Sequence, residues 1–321
     1  MAAAPVRPTA WKLADLREFR SADLAAIFDE QQRSWTRRFF WDFASSRTII
    51  ERFVDSKNLF GYVLVSAGRP IGYSYYIHED RKALIGDLYI LDAFRDAAGE
   101  HELLYRVARA AAICPGVRRI EGQLLTVSSF PREISIYGQP LAALSRRFMV
   151  LRRWDGFDRR PAPSGALYRA WHDRDLDAAA ETISRSYQGH VDSSINDQYR
   201  SYMGARRFLH NTTQHPGCGV FHRAAGVVAV RAVTEGLCGV CLGSLVLPHI
   251  GHITQLCVDP QARGHGVGYE LLRRSIEAFR RGGIEAVSLT VTDANRGAIA
   301  LYESVGFTTD HTFPAFVWEA A

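Results

Sequence analysis

The chain has 321 residues, enough for two domains of ordinary size, and its 47% hydrophobic and 23% charged residues make a globular composition. The formal charge of +5, from 39 basic and 34 acidic residues, suits an anionic small ligand and does not call for nucleic acid. No run approaches the ~18 apolar residues of a membrane span, and the opening "MAAAPVRPTAWKLADL" has no apolar core of signal-peptide type, so no membrane partner is expected and a cytoplasmic location is the default.

Taken in order, residues 11–30 ("WKLADLREFRSADLAAIFDE") read as a short strand, a polar turn with Asp, and an amphipathic helix. Residues 61–77 ("GYVLVSAGRPIGYSYYI") read as two strands around a glycine turn. Residues 87–111 add a strand, a loop and a helix, and residues 118–127 ("RRIEGQLLTV") another strand. After "RRPAPSG" (159–165), rich in chain-breaking residues, the series starts again. Segments 166–187, 217–233, 254–279 and 282–291 repeat the four patterns in the same order. A period of half the chain points to two copies of one α/β domain, with boundaries 1–160 and 161–321, and not to a solenoid.

The five cysteines, Cys114, Cys218, Cys238, Cys241 and Cys257, form an odd set that suggests free thiols. Cys238 and Cys241, followed by His249 and His252, loosely match zinc-ligand spacing. However, "LCGVCLGSLVL" reads as a strand, where positions three apart face opposite sides. No metal is expected.

The strongest local signal is "VDPQARGHGVGYELLRR" (258–274), with Gly264, Gly266 and Gly268 between a strand and a helix. A helix start leaves N–H groups unpaired with the helix dipole behind them, and glycines let a ligand approach the backbone. Successive N–H groups of this kind hold a phosphate or pyrophosphate. The spacing fits neither the dinucleotide fingerprint nor the P-loop. About 27 residues beyond Gly268 lies "NRGAIALYESVGF" (295–307).

Together, "QARGHGVG" and "NRGAIALYESVGF" resemble the GCN5-related N-acetyltransferase (GNAT) superfamily. Gln261, Gly264 and Gly266 match that family's pyrophosphate loop, with Gly268 as the next small residue, and Asn295, Ala298, Leu301, Tyr302, Gly306 and Phe307 match its second motif in order. The clear match covers residues 252–318. The resemblance implies a mixed α/β fold: a mostly antiparallel sheet with two splayed parallel strands, flanking helices, and here two tandem domains. It also implies acetyl-CoA, or another acyl-CoA, as co-substrate, lying where those strands part. Main-chain groups of Cys257 and Val258 would meet the pantetheine arm. N–H groups from Arg263 through Gly264, His265, Gly266 and Val267 to Gly268 would hold the pyrophosphate. Arg263 either neutralises charge there or is a solvated surface residue.

By the same resemblance, an acceptor amine attacks the thioester directly, and Tyr302 matches the tyrosine that protonates the leaving thiolate. A phenol, with an ordinary pKa near ~10, keeps its proton at neutral pH. Asn295 matches the residue beside the pantetheine arm and is also a natural helix N-cap. The strand "HIGHITQL" lacks the glutamate that many members use as base; His252 lies near its place, with His249, Asp259 or bulk water as alternatives.

Aligned on Glu-Leu-Leu, the first half sets Asp96, Ala98 and Glu100 opposite Gly264, Gly266 and Gly268. Two carboxylates there would repel a pyrophosphate, so the first half is expected to be a degenerate copy that does not bind CoA. Mycothiol synthase-like enzymes are one such two-domain group. The acceptor is expected to be a small-molecule or protein amine, met by residues 186–217, where Asp192, Asp197, Tyr199 and Tyr202 suit a cation and Arg200, Arg206 and Arg207 suit an anion. The expected assembly is a monomer or homodimer. The competing readings are a non-catalytic acyl-CoA sensor and a nucleotide-binding oxidoreductase.

Overall fold

The computed structural model describes residues 10–127, 133–154, 162–163, 165–215 and 219–321. Most of the expected linker, and Cys218, lie outside these residues.

Two compact units form: Met1–Leu144 together with Phe313–Ala321, and Ser145–Thr312. In the first unit the elements run β1 (Trp11–Asp15), α1 (Ala25–Phe39), α2 (Ala44–Asp55), β2 (Phe60–Ser66), β3 (Arg69–Glu79), β4 (Lys82–Ile90), α3 (Ala97–Ala112) and β5 (Arg119–Gln123), followed by the short β6 (Ser135–Ile136) and β7 (Gln139–Pro140). Strands β1 to β4 pair antiparallel in sequence order, and β4 pairs parallel with β5 only from Lys82 to Ile85. The sheet is completed by the end of the chain: Ala315–Glu319 pairs antiparallel with β5.

The second unit opens with the body of β8 (Ala142–Leu151) and continues β9 (Ala166–Ala170), α4 (Leu176–Ser186), α5 (Val191–Ile195), α6 (Tyr202–Gln214), β10 (Val220–Phe221), β11 (Val227–Arg231), β12 (Leu237–Leu247), β13 (Ile250–Val258), α7 (Val267–Arg281), β14 (Ala286–Thr292), α8 (Arg296–Ser304) and the start of β15 (Thr308–Glu319). The sheet order is β8-β14-β13-β12-β11-β9. Residues Arg146–Leu151 supply its closing strand, antiparallel to β14. A division at 160/161 would therefore remove the closing strand from each sheet: residues 145–151 would leave the second, and 313–321 the first.

The two element series follow the repeated pattern expected from the sequence. Helix α7 shows why: Val267, Leu271, Leu272, Ser275, Ile276 and Phe279 recur at helical spacing and are all buried. Burying each large apolar side chain contributes about 1.5–3 kcal/mol, and Phe279→Ala is expected to cost about 3–5 kcal/mol. This packing presses the helix onto β12 and β13 and fixes the glycine loop at its start.

Candidate active site

The site begins where two strands part. In the second unit β13 and β14 pair in parallel only from Ile250↔Ala286 to Ile253↔Leu289. Beyond that point β13 runs on to Val258 and β14 to Thr292, leaving a fork with a free edge on β13. A β-bulge between Leu242 and Gly243, opposite Gln255 and Ile253, helps turn β13 away.

After the fork, Asp259 sets the turn. It accepts a hydrogen bond from the Gln261 N–H at 3.0 Å and pairs with Arg185 at 3.1 Å and Arg231 at 3.0 Å. It is a locked structural acid and not a free base. The loop then needs glycine at two points: Gly264 and Gly266 have φ of +77° and +80°. Gly266 is the residue before α7, and no side chain caps that helix. Glu270 N–H makes a helical bond to Gly266 O, so the N–H groups before it are the ones a helix start leaves without intrahelical partners. Gly268 has no such φ; a Cβ there would sit 3.5 Å from Leu301 and Val258.

These elements enclose a cavity of about 650 Å³. Of the residues singled out from the sequence, Cys257, Val258, Arg263, Gly264, Gly266, Val267, Gly268, Asn295, Ala298, Leu301 and Tyr302 line it; Gln261, His265, His252 and Asp192 do not, nor do Asp197, Tyr199, Tyr202, Arg200, Arg206 and Arg207. Asn295 caps α8, its Oδ1 accepting from the Ala298 N–H at 3.2 Å, and faces the cavity as well. Burial pushes the Cys257 thiol up to about 12, so it stays protonated and is no nucleophile. Tyr302 is buried, and burial, with Cys241 and Asp192 nearby, raises its phenol well above the ordinary value. It holds its proton at neutral pH.

His252 departs from expectation. It lies at the root of the fork, where the strands are still paired, and its Nδ1 sits 2.8 Å from Ser288 Oγ. Burial pushes its imidazole down to about 4. It joins the two strands instead of facing the cavity.

Ser186, Tyr187 and His190, inside the 186–217 segment expected at the acceptor but not among the residues named there, line the cavity from the end of α4 onward. No periodicity marks them; only the fold brings them to the cavity beside β13, where Ser186 bonds Val258 O and Tyr187 bonds Gln255. Next to them, Asp192 Oδ1 accepts a hydrogen bond from Thr292 Oγ1 at the tip of β14, and its Oδ2 lies 3.6 Å from His190 Nδ1. The Asp192 charge raises the phenols of both Tyr187 and Tyr302, after burial. Arg206 and Tyr202 instead bond Asp177, Arg206 at 2.7 Å and Tyr202 at 2.9 Å, on the exposed face of the helices.

Among the described residues, Cys114, Cys238, Cys241 and Cys257 are free, and no group of three or more His, Cys, Asp or Glu side chains could hold a metal ion. No helix among them is long and apolar enough to cross a membrane.

Residues 186–307 match the model of the Acetyltransferase (GNAT) family. A mycothiol acetyltransferase of Thermobispora bispora is 42% identical over 59 residues, 18% of this chain and 20% of that protein. The N-alpha-acetyltransferase MAK3 of Arabidopsis thaliana is 37% identical over 76 residues, 22% of this chain and 40% of that protein. The chain thus spans well under half the length of these relatives. Among solved structures, a GCN5-related N-acetyltransferase from Sphaerobacter thermophilus superposes with a TM-score of 0.64 at 15% identity, over 96% of this chain and 95% of that one. A tandem GNAT protein from the clavulanic acid biosynthesis pathway superposes with a TM-score of 0.54 at 15% identity, over 97% and 99%. The fold is therefore GNAT-like along most of the chain, and the family match lies in the second unit.

Proposed function

We propose that the second unit transfers an acyl group, acetyl in the first instance, from acyl-CoA to a primary amine of a small molecule or protein. The observation that carries this reading is the continuity of one cavity from an uncapped helix start with two left-handed glycines, along a free strand edge, to a buried tyrosine. The residues present fit such a donor. Open N–H groups with a helix dipole behind them suit a pyrophosphate, and the edge of β13 suits an extended amide-bearing arm.

Bound acyl-CoA would supply a thioester whose carbonyl is open to an amine. The chain's own residues do the rest. The loop from Arg263 to Gly268 anchors the nucleotide end. Asn295 and the main chain of Cys257 and Val258 line the path of the arm. As the C–N bond forms and the C–S bond breaks, Tyr302 gives its proton to the departing sulfur and is reprotonated by the second proton that the nitrogen sheds on becoming an amide. Asp192 lies beside His190, which lines the cavity, and is held by Thr292; we assign it to pair with the amine as its ammonium and to take one proton before attack. In this reading Asp192 replaces His252 as proton acceptor. The first unit, with Asp96 capping α3 and Glu100 in the first turn of that helix, does not bind CoA in this mode.

The test is release of free thiol from acetyl-CoA in the presence of glucosamine, spermidine and short peptides with free N-termini. Turnover with one of these amines, lost in Tyr302→Phe, is the expected result. Tight acetyl-CoA binding with no turnover on any of them would make the protein a donor-binding sensor instead.

A further inference from the structure

We infer that Arg263 restricts the site to acyl donors that carry a pyrophosphate, by bonding the strand edge closed until an anion draws it away. The inference rests on reading the cavity as an acyl-CoA site.

The carbonyl of Val258, the last residue of β13, points to the free edge of the fork and is already occupied. It accepts from Ser186 Oγ at 3.1 Å and from Arg263 Nε at 3.1 Å. Arg263 Nη2 donates to the Ser186 carbonyl at 2.6 Å. The guanidinium therefore ties the end of β13 to the end of α4, between two residues that both line the cavity. An extended arm that paired with β13 at Val258 would have to displace it.

What holds Arg263 is weak for an arginine. Both bonds run to neutral carbonyls, and among the described residues no carboxylate pairs with it. The first unit has an arginine at the same point of its loop, and the contrast is informative. Arg95 likewise bonds the last strand carbonyl, Ile90 O, at 3.1 Å, and Thr126 O at 2.5 Å. It also pairs with Asp92 at 3.4 Å and Glu100 at 3.7 Å, and lies over the Tyr89 ring at 5.3 Å. The charge of Arg95 is neutralised in place; that of Arg263 is not.

A hydrogen bond from guanidinium to phosphate is roughly twice as strong as one between neutral groups and is often bidentate. A pyrophosphate held by the N–H groups of Gly264 to Gly268 would sit on the residues next to Arg263 in the chain. It would take the guanidinium from the two carbonyls and free the edge for the arm. A donor with only the pantetheine arm must displace the same guanidinium with a neutral amide and gains no charged contact in return. Arg263 would thus be the residue that sets acyl-CoA above acyl-pantetheine.

The experiment is calorimetric titration of the intact protein, wild type, Arg263→Ala and Arg263→Gln, with acetyl-CoA and with S-acetylpantetheine. Arg263→Ala is expected to weaken acetyl-CoA about three- to tenfold and to strengthen S-acetylpantetheine about five- to tenfold. Arg263→Gln keeps a donor for the carbonyl without the charge, so it should weaken acetyl-CoA with no gain for S-acetylpantetheine. Arg263→Ala binding S-acetylpantetheine no better than wild type, or shifting both donors in one direction, would overturn the inference. Failure of the wild type to bind acetyl-CoA would overturn the acyl-CoA reading beneath it, which the comparison among variants does not address.

Discussion

The fork of β13 and β14 in the second unit and the fork of β4 and β5 in the first are built on the same register, four parallel pairs followed by divergence. They are finished in opposite ways. In the second unit the loop ends on Gly266, α7 starts uncapped, and a cavity follows. In the first, the Asp96 carboxylate caps α3 by accepting the Gly99 N–H at 2.6 Å, so the chain supplies its own anion. The fork itself is filled. Thr126 donates to Leu88 O at 2.5 Å, Asp87 accepts from Gln31, Thr126 and the Leu88 N–H, and Tyr73 donates to Gln31. Asp87 holds the place in its strand that Gln255 holds in β13, each beside a bulge. A fork can be a ligand site or a buried polar core, and a few side chains decide which.

This contrast can be broken or sharpened in four ways. The largest effect expected is from Tyr302→Phe: turnover should fall by about 10²–10⁴-fold while acetyl-CoA affinity, read by calorimetry, stays within about threefold. Equal loss of binding would make Tyr302 a packing residue. Asp192→Asn should lower kcat/KM for the amine by about ten- to a hundredfold near neutral pH, with recovery at alkaline pH where the amine is already neutral. A loss independent of pH would assign Asp192 a purely structural part.

The third concerns stability. His252 has its folded pKa pushed down from 6.5 to about 4, so the unfolded chain binds the proton first. Stability of the second unit should therefore fall as pH drops from 6.5 to 4, by on the order of 3 kcal/mol. Burial raises Asp87 from 3.8 to about 7, so the folded first unit binds the proton first. Its contribution is full below 3.8 and is lost as pH rises through 7, by on the order of 4 kcal/mol. Hydrogen exchange, corrected for intrinsic rates, should show protection of 250–258 falling on acidification while that of 82–90 rises. Asp87→Asn should flatten the second trend; parallel trends in the two segments would contradict the assignment. The smallest effect is a null one: Asp96→Gly with Glu100→Gly should not create a second acetyl-CoA site, because the fork behind the loop stays filled. A gained site would show that the loop alone decides.

Much of this was legible in the residues, for physical reasons. The glycine loop could be read because positive φ restricts residue choice, and the repeat because each copy needs the same alternation of apolar faces. The exchange of closing strands was not legible. Residues 146–151 and 315–319 form strands that close the two sheets, and nothing in a period-2 pattern says which distant edge a strand will pair with. His252 failed for a similar reason, since alternation along a strand does not tell a cavity wall from the root of a fork. Ser186 and Tyr187 could not be picked out within 186–217 because their place on the cavity depends on contacts with β13 far along the chain, Ser186 with Val258 and Tyr187 with Gln255.

The central claim is that one fork of two holds the donor. Its most direct test is calorimetric titration of acetyl-CoA into the intact protein, beside Gly266→Glu, counting sites per chain. One site is expected, abolished by a substitution that places a carboxylate and a side chain at a φ of +80° where the pyrophosphate would sit. Two sites, or one that survives Gly266→Glu, would contradict it.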